Sequence, residues 1–239
     1  MKALRVPAAM VALLPCMASA ATIEYVFDGA RLPRDQAIPW SCHVQSNTAV
    51  AVEGGALRVT DDGTAKGQLQ FISRFWAADP DAEARVEVEV RVVRCSTNGG
   101  VVLLAANGRR EAALTLHPGR VDEHHAGLSA PVRLDGTFHR VVLTLRANDL
   151  RVEVDGTIVI DRTGAWTNAA HEGRNLVGFG SLSSAATGEA FWRSVRATTT
   201  YPDVTALPAA EHAVVYRQPG VYACFPSVAR TPEGWTAAR

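Results

Sequence analysis

The most constraining stretch of the sequence is Thr-Phe-His-Arg-Val-Val-Leu-Thr-Leu-Arg-Ala-Asn-Asp-Leu-Arg-Val-Glu-Val-Asp-Gly-Thr-Ile-Val-Ile-Asp, residues 137–161. Val141, Leu143 and Leu145 alternate with Arg140, Thr144 and Arg146, and Leu150, Val152 and Val154 alternate with Arg151 and Glu153. That two-residue period is the signature of half-buried strands. Asp155-Gly156 supplies positive φ at both positions of a type I′ turn. The spacing predicts a β-meander of three antiparallel strands. Its last strand poses a problem of register: pairing Val154 with Thr157 sets Ile158 and Ile160 on the face of Glu153 and Arg151. Either that strand is buried on both faces or a bulge shifts it.

Strand patterns recur along the rest of the chain. Thr22 to Asp28 alternates, Ala49 to Val52 and Ala56 to Thr60 flank Gly54-Gly55, and Gln68 to Trp76 alternates again. Ala84 to Val93 sets Val86, Val88, Val90 and Val92 against Arg85, Glu87, Glu89 and Arg91. Gly99 to Ala106 and Ala112 to His117 flank Asn107-Gly108, a hairpin signal. Asp122 to Pro131 reads as polar and irregular, and Thr163 to Gly173 as a loop around Trp166. Leu176 to Phe179 is a short strand. Glu189 to Ala197 closes the domain, with Phe191 and Val195 inward and Trp192 on the opposite face. So many strands without an amphipathic helix predict an all-β antiparallel sandwich over residues 21–200.

Composition narrows the class. With 239 residues, 47% of them apolar, the chain can bury a substantial core, and a formal net charge of zero offers no electrostatic footprint for nucleic acid. Residues 1–20 carry Lys2 and Arg5, an apolar run through Val11 to Leu14, and Ala18-Ser19-Ala20, the pattern of a signal peptide cleaved after Ala20. The chain is therefore expected to be secreted or periplasmic. No later apolar run reaches the length of a membrane span. Export permits disulfides, and Cys42 and Cys95, both within the sandwich, are expected to pair, leaving Cys224 over. Residues 201–211 hold two prolines without periodicity and read as a linker.

The Phe138-His139 opening, Val154-Asp155-Gly156, Phe179-Gly180-Ser181 and the closing Trp192-Arg193-Ser194-Val195-Arg196 resemble the laminin G and concanavalin A-like jelly-roll family. The resemblance implies a β-sandwich and sugar or matrix binding more than chemistry. Residues 212–239, with Phe225-Pro226-Ser227 and Pro232-Glu233-Gly234, resemble the truncated start of a sialidase-like propeller. There the position of that family's substrate-binding arginine holds Cys224, and Arg217 offers a second, poorer alignment.

Several residues are candidates for function. Glu87 and Glu89 share a strand face roughly 7 Å apart by strand rise, but the glucanases of this fold add an Asp that is missing here, and Arg85 and Arg91 suit an ion-paired solvent face. Asp122, Glu123, His124 and His125 cluster carboxylates with imidazoles that could ligate a metal, although adjacent loop residues rarely converge on one ion. Asp61-Asp62 could supply oxygens to Ca²⁺, and a plain turn explains them as well. His139 fits a structural role better than a catalytic one. Among Trp40, Trp76, Trp166 and Trp192, the loop residue Trp166 is the expected sugar-stacking platform, with Asn168, His171 and Arg174 as its polar neighbours. The expected function is noncatalytic binding of a polysaccharide or glycan. The alternatives are a glycoside hydrolase whose catalytic domain lies beyond this chain, and a structural or adhesion module.

Overall fold

The computed structural model of the chain describes residues 22–43, 48–63, 70–96, 99–182, 186–200, 228–231 and 234–237. The chain divides into two units, Met1–Asp203 and Val204–Arg239. In the second, the strands Val228–Thr231 and Gly234–Ala237 pair as an antiparallel hairpin. The expected signal peptide (1–20), the linker (201–211), the propeller-like residues 212–227 and Cys224 lie outside the described residues.

The first unit is two antiparallel sheets packed face to face, a jelly-roll sandwich. One sheet runs β13 (Thr157–Asp161), β12 (Asp149–Val154), β11 (His139–Arg146), β6 (Ala84–Cys95), β15 (Gly188–Thr200), β4 (Ala56–Asp61) and β3 (Thr48–Glu53). Strand β15 is long enough to pair with β4 through residues 188–192 and then with β1 (Thr22–Asp28) through residues 194–200. The second sheet runs β10 (Leu128–Pro131), β9 (Arg120–Glu123), β8 (Glu111–His117), β7 (Val102–Asn107), β14 (Asn175–Ser181), β5 (Gln70–Phe75) and β2 (Ser41–His43).

Alternation decides what lies between the sheets. Val86, Val88, Val90 and Val92 of β6 are fully buried, as are Leu103 and Ala105 of β7 and Leu114 and Leu116 of β8. Phe27, Trp40, Phe179 and Trp192 meet in one aromatic cluster, with Phe179 4.8 Å from Trp192 and 5.0 Å from Phe27 between ring centroids. Such offset and edge-on contacts add to simple area burial. In the meander, Asp155 and Gly156 take φ of 50° and 83°, as a type I′ turn requires.

Two register questions are settled by bulges. Between β12 and β13, Glu153 faces Ile158 but Val152 faces Ile160, so the chain gains one residue at Val159. Ile160 thereby turns into the core and Ile158 stays outside. In β15 the register with β6 shifts between Trp192 and Ser194. Counting back by twos from buried Val195 puts Phe191 inside, but the extra residue, Arg193, inverts this: Trp192 is fully buried and Phe191 faces out.

Two other expectations are corrected. Asp122 to Pro131 is the ordered hairpin β9–β10. Each of its strands has four residues, too few for alternation to show. Cys42 and Cys95 carry free thiols. Cys42 sits on β2, the outermost strand of the second sheet, while the Cys95 thiol donates to the Ser96 carbonyl and is held by the backbone of Gly100 and Val101, just ahead of β7. Three strand spacings separate β2 from β7, roughly 14 Å, against the ~4.4–6.8 Å between Cα atoms that a disulfide tolerates.

Candidate functional site: the outer face of the second sheet

Because Leu114 and Leu116 point inward, Glu111, Ala113, Thr115 and His117 of β8 point out. The register extends this face to Ala106, Leu104 and Val102 of β7, Leu176, Gly178 and Gly180 of β14, and Phe75, Ser73 and Phe71 of β5. Phe71, Val102, Leu104, Ala106 and Ala113 form a second apolar cluster, separate from the core, with Ala170, Leu176 and Leu182 packed against it. The tip of the Phe71 ring lies over Gly178, where a Cβ would come within 2.0 Å of Phe71 Cζ. Glycine there lets the ring form part of the floor. At the end of this strip Phe75 is 70% exposed.

The opposite end is polar and is built on Glu111, whose residue surface is only 1% exposed. Arg174 grips its carboxylate with Nε and Nη2, His125 Nε2 stands 3.3 Å from Oε1, and the His171 backbone N–H donates to Oε2 at 3.2 Å. Burial alone would push this carboxyl up, but the hydrogen bonds from His125 and Arg174 and the Arg174 charge outweigh it and hold its pKa at about 2. The same hydrogen bond raises the pKa of His125. An arginine and a histidine thus share one carboxylate, and both keep about a third of their side chains in solvent.

The sequence-expected site residues converge on this group with changed roles. Trp166 is 2% exposed and belongs to the core, its indole N–H donating to the Glu111 carbonyl at 3.1 Å, so it is no stacking platform. Asn168 donates to the same carbonyl at 2.9 Å. His171 contributes backbone, and Arg174 contributes its guanidinium. Trp40, Trp76 and Trp192 are core residues too. The exposed aromatic of this face is Phe75, and Glu111, missed in the sequence, is its anchor. The signal for Glu111 was the parity that Leu114 and Leu116 impose on β8.

A second polar group lies further along the same face. Asp122 accepts from Ser129 Oγ at 2.6 Å and from Arg120 Nε at 2.8 Å, and its Oδ2 is 3.0 Å from Nε2 of buried His117. These hydrogen bonds hold the Asp122 carboxyl below its usual range against the opposing effect of burial. Burial and the Arg120 charge push the His117 pKa down. Thr115, Arg120, Asp122, His124 and Ser129 line a hollow of about 310 Å³ beside it.

The other candidates fall elsewhere. Glu87 is clamped by Arg140 at 2.7 and 2.8 Å and by Arg85 at 2.8 Å on the outer face of the first sheet; its pKa falls to about 2, chiefly through Arg140. Glu89 pairs with Arg193. His139 Nδ1 lies 2.8 Å from Asp155 Oδ2, tying the start of β11 to the turn after β12. Asp61 accepts the Gly63 N–H in its turn. Among the described residues, no group of three or more His, Cys, Asp or Glu is placed to hold a metal ion.

The sequence matches no family model and no curated protein. A protein of unknown function from Shewanella oneidensis MR-1 is structurally similar, with a TM-score of 0.52 at 12% identity, over 82% of this chain and 97% of that one. The Crh5 transglycosylase gives 0.47 at 16% identity over 74% and 84% of the two chains. Alginate lyase A1-II′, a member of polysaccharide lyase family 7, gives 0.45 at 9% over 66% and 85%. At 12% identity the Shewanella likeness is one of fold: an all-β jelly-roll sandwich, spanned over nearly the whole of that protein.

Proposed function

We propose that this chain is an exported, noncatalytic glycan-binding sandwich that holds a polysaccharide across the outer face of its second sheet. The observation that carries the reading is the row Phe75–Leu176–Ala106–Glu111, which crosses four neighbouring strands. It spans roughly 14 Å at the usual strand spacing, long enough for an oligosaccharide rather than a single ring. Phe75 offers an exposed ring to the C–H face of a sugar. At the other end Arg174 and His125, fixed by Glu111, present further N–H groups to hydroxyl or carboxylate oxygens. Between them lie half-buried Leu176 and fully buried Ala106, the apolar part of the row.

Hydrolysis is disfavoured by the same geometry. A glycosidase needs a carboxylic acid that stays protonated until it meets the leaving group. Glu111, Asp122 and Glu87 are all held below the usual carboxylate range by their cations and hydrogen bonds.

Affinity electrophoresis of the purified chain across neutral polysaccharides tests the reading. At least one polymer is expected to retard the wild type, with retardation lost in Phe75→Ala and Arg174→Met and kept in Glu87→Gln. No retardation by any polymer, or equal retardation of every variant, would reject the groove. Release of reducing sugar would favour the hydrolase reading instead.

A further inference from the structure

The outer face of the first sheet carries an independent feature. Arg58 of β4 faces Phe191 of β15, Phe191 faces Arg91 of β6, and Phe138, the residue before β11, lies near Arg91. The four side chains form a cross-strand row of alternating arginine and phenylalanine. The Arg91 guanidinium carbon stands 4.4 Å from the Phe191 ring centroid and 5.7 Å from that of Phe138, while Arg58 reaches Phe191 at 5.9 Å. Arg193, the extra residue of the β15 bulge, caps Phe138 at 3.8 Å. Bulges re-aim side chains, and this one adds a third guanidinium to the row.

The arginines differ in what they pair with. Arg58 bridges Glu53 and Glu189, Arg94 reaches Glu189, and Arg193 touches Glu89 at a loose 3.4 Å. Arg91 has no carboxylate partner among the described residues, and its Nε is buried without a hydrogen bond. The two rings stabilise its charge but satisfy none of its donors. With Nε buried, the two Nη groups are the donors left to meet an anion, and the planar guanidinium holds them as a fixed pair suited to two oxygens of one anion.

We propose that Arg91, flanked by Arg193 and Arg58, is an oxyanion site that takes the carboxylate or sulfate group of an acidic ligand, on the face opposite the glycan groove. The stack holds the Arg91 plane, the bulge supplies Arg193, and the loose Glu89 contact frees Arg193 to turn toward the anion. Binding should be local to the row and indifferent to changes in the other sheet.

The test follows the arginine Nε–H signals of the purified full chain by NMR during titration with sodium sulfate, with sodium chloride at matched ionic strength as reference. Saturable shifts of Arg91 and Arg193 with sulfate alone are expected. Arg91→Lys keeps the charge but loses the fork, and should weaken sulfate binding about tenfold, or 1.4 kcal/mol, with an unchanged melting midpoint; Arg85→Gln should bind as wild type. Should Arg91→Lys fold poorly, Arg193→Gln, in the exposed bulge, is the substitute and should weaken binding in the same direction. Polygalacturonate and dextran sulfate then distinguish a carboxylate from a sulfate source, and competition by either with inorganic sulfate supports the site. Shifts equal for sulfate and chloride, undiminished binding in the folded variant, or sulfate binding with which neither polymer competes would overturn the proposal and leave the row a structural stack.

Discussion

At the scale of single residues, Glu111 organises the candidate site, and its charge links site integrity to pH. Its carboxyl pKa falls from an ordinary 4.5 to about 2 in the fold. A depressed carboxyl contributes stability that is complete above the unfolded pKa and is lost as pH falls through the folded one, here between about 4.5 and 2. The shift is worth ~3 kcal/mol at neutral pH. His125 has the opposite sign: its raised pKa contributes stability below its ordinary 6.5, lost as pH rises through the higher folded value. The pair should therefore be strongest between about pH 4.5 and 6.5. Glu111→Gln leaves the Arg174 guanidinium without its carboxylate and is expected to destabilise by roughly 3 kcal/mol at pH 6, with much of that difference gone at pH 2.5. Urea midpoints of wild type and variant at the two pH values check this, and equal losses at both would contradict it.

At the scale of elements, the bulge in β15 shows where sequence patterning stops being sufficient. The strand itself was legible, because Glu189 to Ala197 carries Phe191, Trp192 and Val195 among charged residues, β1 and β6 could be read from alternation, and Asp155-Gly156 from its turn chemistry. Which residues faced inward could not, since parity carries across a strand only if no residue is extruded, and Arg193 looks like any other charged strand residue until β6 is laid beside it. The β12–β13 bulge announced itself because Ile158 and Ile160 conflicted with Glu153 and Arg151; β15 offered no such conflict. Deleting Arg193 is expected to throw residues 194–200 out of phase with 188–192 and to abolish cooperative unfolding, whereas Arg193→Ala should cost under about 1 kcal/mol. Circular dichroism during a urea titration separates the two. Nearby, Gly188 begins β15 against the loop before β7, and a Cβ there would fall 2.0 Å from the Gly100 carbonyl oxygen. Gly188→Ala should destabilise by about 3 kcal/mol or more, because backbone meets backbone and neither side can retreat.

At the scale of the whole molecule, the sandwich followed from the count and spacing of strands, while the site did not. Trp166, Asn168, His171 and Arg174 were legible as one loop, yet the feature that unites them is a glutamate on a strand more than fifty residues earlier, and no local pattern links the two. Trp166 was misplaced for a physical reason: its loop tucks beneath the sheet end, where the indole N–H finds the Glu111 carbonyl. Exposure of Phe75 was equally invisible, since it continues the alternation of Phe71. The cysteines carry a separate expectation. Iodoacetamide applied to unreduced, unfolded protein should label both Cys42 and Cys95, and reductant should leave the melting midpoint unchanged; a disulfide-linked peptide containing both would contradict the fold.

The central claim is that ligand lies on the outer face of the second sheet. Backbone amide shifts of the isotope-labelled chain, recorded with an oligosaccharide from any polymer that retards it, test that claim most directly. The largest changes are expected at Phe75, Leu176, Ala106 and Glu111 and in the His171 to Arg174 segment, with β11, β12 and β13 unmoved. Changes concentrated on β6, β11 and β15, with none along that row, would contradict it.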